Sequence, residues 1–125
     1  MTERRVTLTR RFGQVHIDPS ADDMCAAIDE VLTEGRLGLP EADLVEHPNA
    51  WMTRGWPDGA SWALLVVDVH RSGDVIVSRW ADQDDKTPLY EHRLPRLSAA
   101  DCLILWCIVA DGSEAVLLHR VAELR

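Results

Sequence analysis

The sequence predicts an α+β fold: an antiparallel sheet of about four to five strands with helices packed on one face. Two observations point there first. Period-two alternation of polar and apolar residues marks strands near the N-terminus and again between Trp62 and Leu94. Apolar residues at helical spacing mark segments after Ser20 and after Ser98. The grouping of these segments is the third. Strands follow strands and helices follow helices, unlike the strict alternation of parallel βαβ units.

Each element has its own warrant. "RRVTLTRRFGQVHID" alternates through Val6, Leu8, Val15 and Ile17. It reads as a strand from about Arg4 to Arg10 or as a hairpin turning near Phe12 and Gly13. "PSADDMCAAIDEVLTEG" is a helix: Ser20 is its N-cap, and Asp23 completes a box-like cap with Asp in place of Glu. Met24, Ile28, Val31 and Leu32 form its apolar stripe, and Gly35 suits its end. "RLGLPEADLVEHP" is an irregular connection holding one helical turn from Glu41 to Glu46.

"AWMTR" is a short strand beside "WALLVVDVH", with "GWPDGAS" as the turn. "RSGD" then turns the chain at Gly73 into "VIVSRW", a second hairpin. After the polar loop "ADQDDKTP" comes the strand "LYEHRL", stopped by Pro95. "SAADCLILWCIVADG" is a helix capped by Ser98 and stopped at Gly112, although β-branched Ile104, Ile108 and Val109 leave a strand open. So apolar a helix must be covered on several sides. "SEAVLLHRVAELR" follows as a helix capped by Ser113.

The chain has 125 residues, 46% of them apolar, which suits one globular domain over residues 1–125. Its longest uncharged apolar run, "CLILWCIVA", is about half of what a membrane span needs. The N-terminal stretch lacks the apolar core of a secretory signal, so a cytoplasmic location is expected. Cys25, Cys102 and Cys107 form no CxxC and read as small buried hydrophobes.

The net charge of -8 is unevenly spread. Residues 18–46 carry nine acids against Arg36 alone. Such a block repels nucleic acid and attracts a basic partner, or serves as a solubilising face. Arg4, Arg5, Arg10 and Arg11 lack interleaved aromatics and read as the charged guard of an edge strand. The expected partner surface comprises Asp22, Asp29, Glu30, Glu34, Glu41, Asp43 and Glu46. Asp82, Asp84 and Asp85 form a second acidic patch. "DQDDK" lacks the glycine and glutamate of a calcium loop, and the five histidines form no metal motif. There is no nucleophile elbow or phosphate loop. No catalytic residue, metal or cofactor is therefore assigned.

Three of the five tryptophans crowd into "HPNAWMTRGWPDGASW". Trp51 and Trp62 belong to paired strands, Trp80 and Trp106 to the core, and Trp56 sits on a turn as an aromatic anchor. "DDMCAAIDEVLTEG", the tryptophan-rich segment after it and the hairpin "WALLVVDVHRSGDVIVSRW" together resemble, in general type, bacterial toxin-immunity proteins. Those of contact-dependent growth inhibition systems are included. The resemblance covers roughly residues 20–80. It implies a small acidic protein that binds a cognate toxin domain, such as a nuclease, and blocks its active site. It carries over no contact residues. A second reading is a small enzyme or ligand-binding domain whose pocket is lined by Trp51, Trp80, Tyr90 and His92, with His92 and Asp68 as a candidate pair. A third is a structural subunit of a larger assembly.

Overall fold

A computed structural model describes residues 5–33, 37–58, 61–81 and 86–125, the side chains of 56–58, 61 and 62 excepted. Among these residues six strands form one antiparallel sheet: β1 (Arg5–Thr9), β2 (Val15–Ile17), β3 (Asn49–Asp58), β4 (Ser61–His70), β5 (Val75–Trp80) and β6 (Tyr90–Leu94). The strands lie in the order β2-β1-β3-β4-β5-β6. The helices are α1 (Ala21–Leu32), α2 (Glu41–Glu46), α3 (Ala99–Asp111) and α4 (Glu114–Leu124). The α+β class is as expected. The extra strand arises because the N-terminal stretch is a hairpin. The Arg10 amide donates to the Gln14 carbonyl, and Gly13 adopts the positive φ that the turn requires. As a result β1 is an inner strand and β2 the edge.

The β3–β4 hairpin is longer than expected. Pairing runs from Asn49 opposite His70 to Asp58 opposite Ser61. Trp56 therefore belongs to strand β3, opposite Ala63, and not to a wide turn; its side chain lies outside the described residues. The Trp62 side chain lies outside them as well. The β4–β5 turn does use Gly73, at φ +90. A Cβ there would come within 3.3 Å of the Arg96 Cα.

Helix α1 starts as its sequence dictates. The Ser20 hydroxyl accepts from the Asp23 amide, and the Asp23 carboxylate accepts from the Ser20 amide. These bonds hold the Asp23 carboxyl below its ordinary value. The helix ends at Leu32 with Thr33 as C-cap, and Gly35 lies outside the described residues. Residues 99–111 are helix. The Ser98 hydroxyl accepts from the Asp101 amide, and Gly112 closes the C-terminus.

The core lies between one face of the sheet and the helices. Leu8, Met52, Val67 and Val77 stand side by side across β1, β3, β4 and β5, all fully buried. Met24, Ile28 and Val31 of α1, Leu105, Trp106 and Val109 of α3, and Leu117 and Val121 of α4 join the same cluster. Trp106 is fully buried, and its Nε1–H donates to the Val67 carbonyl at 3.1 Å. That bond ties the central helix to the central strand.

Candidate partner-binding surfaces

Burial of Met24, Ala27, Ile28 and Val31 turns Asp22, Cys25, Ala26 and Asp29 of α1 outward. Asp29 Oδ1 accepts the Thr33 hydroxyl at 2.6 Å. On α2 only Leu44 is buried, and Glu41, Asp43 and Glu46 are exposed. Glu30 is different: it is half-buried and paired with Arg10 at 2.7 Å. Glu41 meets Arg71 at 2.9 Å. Among the described residues no ion pair forms at Asp22, Asp43 or Glu46. Glu34, Asp82, Asp84 and Asp85 lie outside the described residues.

The arginines near this block turn inward for a local reason. Helices α1, α2 and α3 have no basic residue in their last turns. Their final carbonyls need donors from elsewhere. Arg11, 3% exposed, supplies them. It donates to the carbonyls of Glu30 at 2.7 Å, Leu44 at 3.0 Å and His47 at 2.8 Å. Arg54 of β3 does the same for α3 through the carbonyls of Gly112 and Val109. The expectation that Arg10 and Arg11 guard an edge strand is therefore corrected. They clamp helix ends onto an inner strand's turn. The signal available in the sequence was negative: none of the four described helices has a basic residue in its last turn.

Beside the acidic stripe of α1 runs an apolar trough. A recess of about 180 Å³ between α1 and α3 is lined by Cys25, Ile28, Asp29, Ala99, Ala100 and Leu103. Leu103 also lines a wider recess of about 460 Å³ with Ile104, Cys107, Ile108 and Asp111. Of the three cysteines expected to be buried, Cys102 is buried, Cys107 is half-buried and Cys25 is exposed on the outward stripe of α1. Burial, then Asp101, pushes the Cys102 thiol up to about 11. Burial also raises Cys107. A raised thiol is a poor nucleophile at neutral pH.

The other face of the sheet carries its own apolar surface. Trp51, Leu64, Val66, Ile76 and Trp80 are half-buried there, and none joins the core cluster. Val15 and Ile17 of β2 share this face and are 56% and 65% exposed. Trp80 is thus not a core residue, and Trp51 is only half-buried. The tryptophan-lined pocket is also corrected. Tyr90 and His92 pair with Arg79 and Val77 on the helix-covered face, whereas Trp51 and Trp80 stand on the opposite face. Strand alternation separates them. It separates His92 from Asp68 too.

Asp68 sits within the open face, between Trp51 on β3 and Ile76 on β5. The Asn49 amide group donates to both of its carboxylate oxygens at 2.8 Å. Burial raises its pKa from the ordinary carboxylate value, while the Asn49 bond and nearby His70 oppose that shift. Among the described residues no group of three or more His, Cys, Asp or Glu side chains is placed to hold a metal ion. None of their helices is long and apolar enough to cross a membrane.

No family model, curated protein or solved structure matches the chain.

Proposed function

We propose that this chain is an immunity protein that binds and neutralises a cognate basic toxin domain, with a nuclease as the best-suited class. One observation carries the surface assignment. Three cations beside the acidic block are engaged within the fold: Arg10 with Glu30, Arg71 with Glu41, and Arg11 with three carbonyls. Among the described residues α1 and α2 present Asp22, Asp29, Glu41, Asp43 and Glu46 outward, and Asp22, Asp43 and Glu46 form no ion pair. Such carboxylates suit the Lys, Arg and His residues with which a nuclease meets phosphate. The trough along α3 supplies an apolar centre next to this acidic rim, the composition typical of protein interfaces. The resemblance of residues 20–80 supplies the class, and a cytoplasmic setting belongs to the same reading.

The enzyme reading is weaker, because the sheet divides the residues that were to line its pocket. The test is co-purification with a toxic domain encoded by the neighbouring gene. The wild-type chain is expected to hold that domain and block its activity. Asp29→Lys combined with Asp43→Lys and Glu46→Lys is expected to weaken the complex by at least about tenfold. Unchanged affinity would remove α1 and α2 from the interface.

A further inference from the structure

The open face of the sheet raises a separate question, since the helix-borne carboxylates belong to the other layer. The side chains there form two rows across the strands. One runs Ile17, Thr7, Thr53, Val66, Ser78, Glu91. The next runs Val15, Thr9, Trp51, Asp68, Ile76, Arg93. Asp68 is thus a half-buried carboxylate set among apolar side chains. Among the described residues it forms no ion pair. Arg93, beyond Ile76, is directed to Asp74 at 3.6 Å, and the His70 Nδ1 lies 2.9 Å from the Ser72 hydroxyl. The Asn49 amide occupies only part of the carboxylate's capacity, which is about four lone-pair sites.

We propose that this face docks a segment of a basic protein by seating one of its arginines against Trp51 with the guanidinium on the Asp68 carboxylate. Charge complementarity selects the occupant. A planar guanidinium can stack on an indole and donate to a carboxylate at once, which an ammonium cannot do as well. Val66, Ile76, Leu64 and Trp80 offer apolar contact to the residues flanking that arginine. Ser78 is buried on the same face, and its hydroxyl accepts the Trp80 Nε1–H at 3.0 Å, which fixes the second indole. Tryptophan and arginine are the residues most enriched among interface anchors. The inference stands independently of the acidic-helix reading.

The experiment is a titration of the isotope-labelled full chain with a short capped peptide alternating valine and arginine. The same peptide with citrulline for arginine is the neutral control. Backbone amides and indole N–H signals are followed. Saturable shifts at Trp51, Val66, Asp68 and Ile76 are expected, with affinity at least about fivefold lower for the citrulline peptide. Asp68→Asn is expected to lower the affinity for the arginine peptide by a similar factor. Equal binding of the two peptides to the wild-type chain overturns the proposal, as does the absence of a saturable shift on this face. Shifts confined to α1 and α2 would overturn it too, leaving the acidic-helix reading intact. Shifts that depend on protein concentration without peptide would assign the face to a second copy of the chain instead.

Discussion

Arg11 places a permanent cation where three helix-end carbonyls converge, and it is buried there. Its removal strands those carbonyls and the end of α1 together. Arg11→Met is expected to cost about 2–4 kcal/mol, read as a shift of the urea midpoint. Trp106→Phe loses the bond to the Val67 carbonyl and leaves a gap under the sheet; about 1–3 kcal/mol is expected from the same measurement. Asp68 has the opposite sign. Its proton is bound more tightly in the fold than in the unfolded chain, because burial disfavours the carboxylate. Its ionisation therefore lowers stability most at neutral pH, and the deficit disappears as pH falls below about 3.9. Asp68→Asn keeps the shape and an acceptor for Asn49. The variant is expected to melt at an equal or higher temperature at about pH 7, with the difference shrinking toward about pH 4. A lower melting temperature at neutral pH would mark Asp68 as a structural residue.

At the scale of elements, local chemistry was most legible where a cap and a stripe agree. Ser20 with Asp23, Ser98 with Asp101, and Ser113 all cap the helices that their spacing predicts. The strand alternative for residues 102–110 fails because α1, α4 and the sheet cover α3, so Ile108 and Val109 have apolar neighbours as a helix, while Ile104 faces out. Ser98→Ala is expected to destabilise the protein by about 1 kcal/mol, since α3 holds the core together. Less legible were lengths and faces. Two hairpin strands ran past their apolar runs, because Trp56, Pro57 and Asp58 continue the β3–β4 ladder. Strand alternation in "VIVSRW" and "LYEHRL" was visible. Which set faces the helices was not, because both sets mix apolar and polar residues. That ambiguity put Trp51 and Trp80 in one pocket with Tyr90 and His92. Arg54 and Arg79 stand on the covered face because helix ends await them there, a tertiary fact with no signature in strand periodicity.

For the whole molecule, one layer of helices over one sheet leaves two different outer surfaces. The helical side shows carboxylates beside an apolar trough; among the described residues the other face of the sheet shows Trp51 beside the half-buried Asp68, with Trp80 two rows further along. Bulk charge made the first surface visible in sequence, since residues 18–46 carry nearly all of the excess acid. The second required the register of the strands. The division of Glu30 and Glu41 from Asp22, Asp43 and Glu46 also needed coordinates, because ion pairs with Arg10 and Arg71 bring together residues 20 and 30 positions apart. Binding of a basic toxin domain by the acidic helices is measured by titration calorimetry with the neighbouring gene's toxic domain. Affinity is measured from about 50 to about 500 mM salt for the wild-type chain and for the Asp29→Lys, Asp43→Lys, Glu46→Lys variant. Wild-type binding is expected to be tight and to weaken steeply with salt, and the variant is expected to bind weakly with little salt dependence. Equal affinities with parallel salt curves would contradict binding through the acidic helices.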